Sequence, residues 1–244
     1  MQKVGIIGFG RFGKVLAQLL EQQFELKIFD SVAADTNKHL LSDEKSVLEC
    51  KTIFIAVPIR EFETVIKNIA PKLKSNTTVI DVCSVKMYPV SVMKKYLPED
   101  AGIIATHPMF GPDSIDSNAL LNMMMHKVRD TQDCYDDWKT FFASKKFNIV
   151  ELTPEKHDQI AANSQSVVHF AARVLDDFGV QETPIDTQGF KHLLALVENN
   201  CHDTWELFSD LQNYNPYSKD MVSKLEKSFK KIKEHLIESK KELT

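Results

Sequence analysis

The stretch that decides the fold is VGIIGFGRFG at residues 4–13. An apolar run that predicts a buried strand leads directly into a Gly-x-Gly-x-x-Gly motif, and a helical pattern follows. In such a turn Gly8 allows the tight bend, Gly10 lets a phosphate group approach the backbone, and Gly13 lets helix and strand pack closely. The free N–H groups at the start of the helix also favour a phosphate. The stretch predicts a dinucleotide-binding turn; a glycine-rich turn without a ligand is the alternative.

A carboxylate, Asp30, ends the second predicted strand at the distance from the motif that the dinucleotide fingerprint requires. A carboxylate there accepts hydrogen bonds from the ribose hydroxyls of NAD and repels the 2′-phosphate of NADP. We therefore expect NAD rather than NADP, although Asp35, Lys38 and His39 lie close enough in sequence to affect this preference. Pro58, after the third predicted strand, packs against the nicotinamide or simply ends the strand. The residues predicted to contact the cofactor are Gly8, Gly10, Arg11, Phe12, Gly13, Asp30, Val57 and Pro58.

Residues 1–152 alternate short apolar runs with helical patterns, which is typical of a parallel sheet covered by helices. Several runs are almost continuous in valine and isoleucine, as expected for strands buried on both faces. The predicted strands cover 4–7, 26–29, 52–57, 78–82, 102–106, 123–128 and 147–152. The predicted helices between them cover 12–22, 61–73, 90–96 and 133–144.

From residue 153 onward the pattern is helical. Thr153 and Pro154 predict a helix start, because threonine caps helices and proline is tolerated in the first helical position. Gly179 predicts the end of that helix. Long helical stretches are expected over 155–178, 189–213 and 217–239. The fold class is therefore α/β, with a Rossmann-type parallel-sheet domain at residues 1–152 followed by an all-helical domain at residues 153–244.

Composition argues against several classes of protein. The formal net charge of the 244 residues is −4, which argues against a nucleic-acid partner. No apolar run approaches the ~20 residues needed to cross a bilayer, so no membrane partner is expected. Because the predicted first strand begins at residue 4, we expect no leader within this sequence; the alternative is a leader already removed. The scattered cysteines and histidines lack metal-ligand spacing, so we expect no metal site, and reduced thiols indicate a cytoplasmic protein.

Two segments follow consecutive predicted strands: DVCSVK at 81–86 and THPMFGP at 106–112. This fold places ligands at the carboxyl ends of its strands, so Ser84, Lys86 and His107 are expected near the nicotinamide. Oxidation of an alcohol needs a base within reach of the hydroxyl proton, and histidine titrates near neutral pH. His107 is the candidate base. The alternatives are that His107 only caps a turn and that the Ser84 hydroxyl only bonds its own backbone.

These segments, with others in the same order, resemble the prephenate/arogenate dehydrogenase family, and most closely its plant-type arogenate dehydrogenases. The resemblance runs from residue 3 to about residue 236. HPMFGP at 107–112 is its most specific motif. The other matching segments are DVCSVK at 81–86, EKHD at 155–158, SQSVVH at 164–169, TPIDTQG at 183–189 and LVEN at 196–199.

The resemblance implies an enzyme of tyrosine biosynthesis that oxidatively decarboxylates a cyclohexadienol, with hydride transfer to NAD and aromatisation as the driving force. It implies that His107 bonds the ring 4-hydroxyl and takes its proton as the hydride leaves. Ser84 would bond His107 or the substrate hydroxyl, and the nicotinamide side. The resemblance also implies a homodimer formed through the helical domain. The residues implied to line the substrate pocket are Lys86, His157, Gln165 and His169.

A polar stripe in the helical domain fits that assignment. Gln165, His169 and Arg173 recur every four residues, which places them on one helix face. The stripe could receive an anionic substrate; the alternative is a polar seam at a domain or subunit interface. Bacterial relatives use an arginine of the C-terminal helices for the ring carboxylate, and this chain has none after Arg173. Arg129, Arg173, a lysine or the partner subunit would take its place.

Arogenate differs from prephenate by an ammonium, which needs a nearby carboxylate when it is buried. Asp203 aligns with an acidic position that favours arogenate in plant-type enzymes, so we predict arogenate over prephenate; the alternative is an exposed helix carboxylate. Two other functions stay open. A β-hydroxyacid dehydrogenase would use a lysine where the first long helix of the second domain has Gln165 and His169. A catalytically silent NAD sensor would bind the cofactor only.

Overall fold

The computed structural model describes residues 1–32, 41–111 and 120–242 of the chain. Asp35, Lys38, His39 and Pro112, all named in the sequence analysis, lie outside the described residues. The chain folds as two compact units, Met1–His157 and Asp158–Thr244. The division falls inside a helix, a few residues after the boundary at 152/153 that the sequence predicts.

The described part of the first unit contains one seven-stranded sheet, with the order β2-β1-β3-β4-β5-β6-β7. Strands β1 to β5 run parallel, β6 pairs antiparallel with β5, and β7 pairs parallel with β6. The bounds are β1 Gln2–Ile7, β2 Phe24–Phe29, β3 Thr52–Ile55, β4 Thr78–Asp81, β5 Gly102–Pro108, β6 Asn122–Arg129 and β7 Asn148–Glu151.

The Rossmann-type α/β fold is thus confirmed, and its sheet is parallel from β1 to β5, whereas β6 and β7 run in the opposite direction. The burial of β6 explains why its sequence does not reveal this. Met123, Met124 and Met125 are all buried, so this part of the strand is an unbroken apolar run. Such a run predicts a strand covered on both faces, whichever way the strand points.

Five α-helices belong wholly to the described part of the first unit: α1 Arg11–Leu20, α2 Glu44–Leu48, α3 Ile59–Ile69, α4 Met87–Tyr96 and α5 Tyr135–Ser144. The sequence analysis missed α2, because five residues are too few to show a helical period. Asp43 caps this helix, where its side chain accepts the backbone N–H of Ser46 at 2.7 Å.

Aromatic side chains fill one side of the sheet. The ring of Trp138 in α5 meets Phe54 of β3 edge to face, with 5.0 Å between centroids. The same ring stacks on Phe24 of β2 at 5.1 Å. Such pairs contribute ~0.5–1.5 kcal/mol each beyond the burial of their area. This packing joins α5 to two strands of the sheet, whose carboxyl ends carry the candidate site.

The rest of the described chain is helical: α6 Pro154–Ala162, α7 Gln165–Phe178, α8 Gln188–Cys201, α9 Trp205–Tyr214 and α10 Ser218–Glu242. The predicted start of α6 is confirmed, since the hydroxyl of Thr153 accepts the N–H of Lys156 at 3.2 Å. The predicted end of α7 at Gly179 is also confirmed. Gly179 has a φ of +84°, in the left-handed region that glycine adopts at helix ends.

Two of the predicted long helices are broken. The stretch 155–178 divides at Asn163 and Ser164, whose side chains donate hydrogen bonds to the carbonyls of Gln159 and Ile160, each at 2.8 Å. The stretch 189–213 divides before α9, where Thr204 accepts the N–H of Leu207 at 3.2 Å and caps a new helix. Short polar side chains compete with helical hydrogen bonding in this way. Among the described residues, no helix combines the length and apolarity that crossing a membrane requires.

Candidate active site

The glycine motif joins β1 to α1, and its glycines meet different surroundings. Gly8 has a φ of +101°, and a Cβ there would lie 2.3 Å from the carbonyl oxygen of Ala56. A Cβ on Gly13 would lie 2.2 Å from the carbonyl oxygen of Gly8. Both contacts are far too short for any larger residue. A Cβ on Gly10 would meet no atom within 4 Å, so the loop is open there. The backbone N–H groups at the start of α1 could therefore hold a pyrophosphate at Gly10.

Asp30 lies next to this loop. Its carboxylate accepts the backbone N–H of Phe9 at 2.6 Å and that of Val32 at 2.7 Å. The acidic residue that the fingerprint requires thus also holds the glycine turn against the end of β2. A dinucleotide on the loop would place its ribose hydroxyls near such a carboxylate.

The other predicted cofactor residues flank the same loop. Arg11 is exposed at the first position of α1. Val57 lies close to Gly8, because a Cβ added to Gly8 would be 3.1 Å from the Cγ1 atom of Val57. Pro58 is exposed and directly precedes α3, three residues after β3 ends at Ile55, and its predicted contact with the nicotinamide stays a prediction. The ring of Phe12 lies 6.2 Å from that of Phe110, which brings the start of α1 beside the described residues that follow β5.

His107, in β5, faces a second histidine. Its Nδ1 atom lies 2.8 Å from Nε2 of His157 in α6, and the rings are nearly perpendicular. His107 is 5% exposed and His157 is 2% exposed. The two rings therefore share a hydrogen bond shielded from water. The sequence analysis placed both residues in the site but did not predict that they bond each other.

Ser84 and Lys86 lie between β4 and α4, and they differ in their surroundings. Ser84 is half-buried in the turn, and its predicted contact with His107 stays a prediction. Lys86 is completely buried, and its ammonium donates to the carboxylate of Asp81 and to the carbonyl of Thr106. The pocket-lining role predicted for Lys86 stays a prediction too, but its ammonium is engaged inside the sheet unit.

Asp81 is the residue to which sequence reasoning assigned no role. It ends β4, is fully buried, and also accepts the N–H of Cys83 at 3.1 Å. Burial raises the pKa of its carboxyl group, and the ammonium of Lys86 opposes that rise. A carboxylate at the end of an apolar strand, followed five residues later by lysine, is a signal that could have found it, because buried charges must be paired.

The second unit groups three of the predicted substrate residues. The guanidinium of Arg173 lies over the rings of Trp205 and Phe208, 5.8 and 5.7 Å from their centroids, and donates to the carbonyl of Asp203. Burial lowers the pKa of His169, Asp203 raises it and Arg173 lowers it further. His169, Arg173 and Asp203 thus form one cluster. Gln165 is half-buried at the first position of α7.

The structure bears on two alternatives from the sequence analysis, an exposed carboxylate at Asp203 and a carboxylate-binding role for Arg129. Asp203 is half-buried between α8 and α9 rather than exposed on a helix. Arg129 donates to the carbonyls of Ala101 at 2.6 Å and Pro98 at 2.7 Å, beside the first residues of β5. His107 lies near the last residues of that strand. Arg129 is therefore wrongly placed to bind the ring carboxylate of a substrate at His107.

Two family models match the chain. The nucleotide-binding domain of prephenate dehydrogenase matches residues 28–123, and the TYRAAT1-like C-terminal domain matches residues 174–244. Among solved structures, prephenate dehydrogenase from A. aeolicus, in complex with hydroxyphenyl propionate and NAD+, has a TM-score of 0.75. The match covers 98% of this chain and 92% of that one at 18% identity. Synechocystis arogenate dehydrogenase has a TM-score of 0.68 at 19% identity, covering 97% and 91%. These likenesses show the fold.

Curated sequences carry the likeness further. Chloroplastic arogenate dehydrogenase 2 of Arabidopsis thaliana is 32% identical over 96% of this chain and 70% of its own length. Chloroplastic arogenate dehydrogenase 1 of the same plant is also 32% identical over 96% of this chain, which spans only 39% of that relative. A probable arogenate/prephenate dehydrogenase of Methanocaldococcus jannaschii is 26% identical over 75% of this chain and 43% of its own. Because the chain is 32% identical to arogenate dehydrogenase 2 over 96% of its own length, it belongs to the arogenate/prephenate dehydrogenase family of oxidoreductases.

Proposed function

We propose that the protein oxidatively decarboxylates arogenate to tyrosine with NAD as hydride acceptor, and that prephenate is the weaker substrate. The observation that carries the proposal is the buried bond between His107 and His157 at the end of β5, next to the glycine loop. A dehydrogenase needs a base whose orientation is fixed beside its dinucleotide. The relatives named arogenate dehydrogenase support the choice of substrate.

His107 carries the proton transfer in this proposal. Because Nδ1 is engaged by His157, we assign the exchange with the ring 4-hydroxyl to Nε2. NAD, when bound, accepts the hydride from C4 of the substrate. The C1 carboxylate leaves as carbon dioxide, and its bonding electrons complete the aromatic ring. His107 takes the hydroxyl proton as the oxygen becomes more acidic and returns it to the phenolic oxygen, so no net proton is released.

Asp30 supports NAD over NADP, because its carboxylate lies beside the glycine loop where it would repel a 2′-phosphate. Relatives from two yeasts are named as NADP-linked prephenate dehydrogenases, with 27% and 26% identity over shorter stretches of the chain. NADP-linked enzymes thus occur among the relatives, and Asp30 is the residue that favours NAD in this protein.

The cluster of His169, Arg173 and Asp203 supports arogenate. The alanyl side chain of arogenate carries an ammonium and a carboxylate, and the cluster offers a carboxylate and a guanidinium. A pocket with both charges favours a zwitterion over the pyruvyl side chain of prephenate, which lacks the ammonium. We assign the ammonium to Asp203 and keep Gln165 and His169 as pocket residues. Of the two arginines considered for binding a substrate carboxylate, Arg129 and Arg173, we retain Arg173.

We also propose a homodimer formed through the helical unit, and one surface supports it. Val222, Leu225, Phe229, Ile232 and Leu236 follow each other at alternating steps of three and four along α10. This set, the α10 stripe, is 66% exposed at Phe229, 61% at Ile232 and 68% at Leu236. A stripe of this period is the contact seam of a two-helix coiled coil. A second copy of α10, running antiparallel, would bring Glu226 beside the partner's Lys233.

For the compartment, we propose the cytoplasm. All four cysteines are free thiols, which fits a reducing environment. The two plant relatives are named as chloroplastic, which makes a plastid the competing location. Imaging of the tagged protein in its own cells distinguishes the cytoplasm from a plastid.

The function is tested by following reduction of NAD and NADP with arogenate, prephenate and a short β-hydroxyacid. We expect arogenate with NAD to give the highest kcat/KM. His107→Ala should lower kcat by about 10²–10⁴-fold, the usual contribution of general base catalysis, with NAD affinity unchanged. His126→Ala, which removes a half-buried histidine of β6 instead, is the matched control. Turnover of the β-hydroxyacid alone, or binding of NAD with no turnover at all, would overturn the proposal.

A further inference from the structure

Four residues at the ends of β4 and β5 form a buried polar network. Lys86 lies at its centre with 0% of its side chain exposed, and Asp81 is equally buried. The ammonium donates to the Asp81 carboxylate and to the carbonyl of Thr106. The Thr106 hydroxyl donates to the carbonyl of Asp81 at 2.6 Å. The N–H of Cys83 donates to the same carboxylate at 3.1 Å.

The members of this network flank the residues assigned to the chemistry. Cys83 and Lys86 lie on either side of Ser84, and Thr106 directly precedes His107. The network therefore ties the turn after β4 to the last residues of β5 by side-chain bonds. The strands also pair along their backbones, with Asp81 opposite Ala105. Beyond that last pair β4 and β5 are joined by the network, while Thr106 and His107 stay paired with β6 on the other side of β5.

The burial of Lys86 argues against direct contact with a substrate that enters from solvent. A lone buried ammonium is costly, and the carboxylate with the carbonyl compensates its lost hydration. Turning the ammonium toward a substrate would leave Asp81 as a buried, uncompensated charge. An ion pair of this kind is weak evidence for stability but holds its partners in one geometry.

We propose that Lys86 and Asp81 are positioning residues that hold Ser84 and His107 at the distance hydride and proton transfer require, and that Lys86 does not bind substrate. The proposal rests on the function proposed above. It replaces the substrate contact that the family resemblance implies for Lys86. Misplacement of a reacting group by about 1 Å costs on the order of 10²-fold in rate, so loss of the network should appear in kcat.

The test compares three variants with a matched control. Lys86→Met removes the ammonium and keeps most of the side-chain stem. Lys86→Met leaves the carboxylate of Asp81 as an unpaired buried charge and could fail to fold for that reason. The double variant Asp81→Asn, Lys86→Met also removes this charge, so it keeps the test available in that case. Lys86→Arg keeps the charge in a larger group. Lys72→Met is the control, because it breaks an exposed ion pair with Glu44 of 2.8 Å in the same unit.

We expect Lys86→Met and the double variant to lower kcat about 10- to 10²-fold per folded molecule, with KM for arogenate and Kd for NAD within about threefold of the parent. Lys86→Arg should recover part of kcat, and Lys72→Met should keep all of it. A raised KM with kcat retained would show that Lys86 contacts substrate and would overturn the proposal. So would a folded double variant with the parent's kcat.

An activity-independent measurement separates this proposal from the proposed function. Side-chain NMR of histidine, with His107 assigned through His107→Asn, should show the His107 ring signals displaced in Lys86→Met and unchanged in Lys72→Met. If the parent enzyme turns over no cyclohexadienol, the proposed function is overturned. The displacement of the His107 signals can still be measured in that case, and it tests the positioning role by itself. Unchanged His107 signals in Lys86→Met would overturn the positioning role even in an active enzyme.

Discussion

Nδ1 of His107 and Nε2 of His157 lie 2.8 Å apart, and both side chains are buried. A hydrogen bond at that distance needs a proton on one nitrogen and a lone pair on the other. If the proton is on Nδ1 of His107, its Nε2 carries a lone pair and is ready to act as base. The role of His107 as base therefore requires that His157 accept the Nδ1 proton, while the same bond fixes the orientation of the His107 ring.

Replacing His157 should consequently impair the chemistry more than cofactor binding. His157→Leu fills similar space but cannot accept the Nδ1 proton of His107, so we expect kcat to fall about 10²-fold. The Kd for NAD should stay within about threefold. Steady-state kinetics and NAD titration measure both, with His126→Leu in β6 as control. An unchanged kcat in folded His157→Leu would contradict the role given to the bond.

Two glycines of the loop should respond to alanine in opposite ways. A Cβ on Gly13 would overlap the carbonyl oxygen of Gly8 at 2.2 Å, whereas a Cβ on Gly10 meets nothing within 4 Å. Gly13→Ala should therefore lower the free energy of unfolding by roughly 1–3 kcal/mol, as overpacking does. Gly10→Ala should melt near the parent's Tm but bind NAD at least about tenfold more weakly. Thermal unfolding and calorimetric NAD titration test both. Parental NAD affinity in Gly10→Ala would place the pyrophosphate elsewhere.

Local signals predicted the parts of the fold that depend on a few neighbouring residues. The glycine loop, the cap at Thr153 and the helix end at Gly179 each require a particular residue type at a particular backbone position. The central strands β3, β4 and β5 could be found because burial on both faces leaves nearly continuous apolar runs. These features are encoded within about one turn or one strand of sequence.

Features that depend on distant partners were not predictable in the same way. The direction of β6 follows from its pairing with β5, which the apolar run at Met123 does not reveal. The bond between His107 and His157 joins residues 50 positions apart in sequence, so the pair was found as two separate candidates. The resemblance placed Lys86 at a pocket. Its burial beside Asp81 could not be predicted, because it arises only once β4 and β5 are paired.

The charge of Asp30 should decide between the two nicotinamide cofactors. Asp30→Asn keeps an acceptor for the N–H of Phe9 and removes the negative charge, so a 2′-phosphate is no longer repelled. We expect the ratio of kcat/KM for NAD over NADP to fall by about tenfold or more. Glu25→Gln removes a charge from β2, the strand that Asp30 follows, where the carboxylate pairs with Lys27, and should leave the ratio unchanged. An unaltered ratio in Asp30→Asn would contradict the assignment.

Asp203 should decide between the two substrates. Asp203→Asn removes the charge that compensates the ammonium of arogenate, so kcat/KM for arogenate should fall by about tenfold while that for prephenate holds or rises. The control is Asp177→Asn, which removes an exposed carboxylate from α7. Unchanged selectivity in Asp203→Asn would sink the assignment of the ammonium site, and parallel losses for both substrates would indicate a structural role instead.

The α10 stripe gives the last prediction, on assembly. Phe229, Ile232 and Leu236 are each more than half exposed, and burying such side chains stabilises association by ~1.5–3 kcal/mol each at most. Phe229→Asp should therefore convert a dimer into a monomer, measured by sedimentation at micromolar concentration. Lys231→Asp changes an exposed residue of the same helix that lies outside the stripe, and is the control. A monomeric parent protein would contradict the prediction.

The orientation of the two helices is tested by charge. In an antiparallel pair Glu226 lies beside the partner's Lys233, because both hold the same flanking position of the stripe on opposite sides of its centre. Glu226→Lys and Lys233→Glu should each weaken the dimer, since each sets like charges against one another. The double exchange restores the opposite charges and should restore the parent's dissociation constant. In a parallel pair these residues do not meet, and the double exchange would bring no recovery.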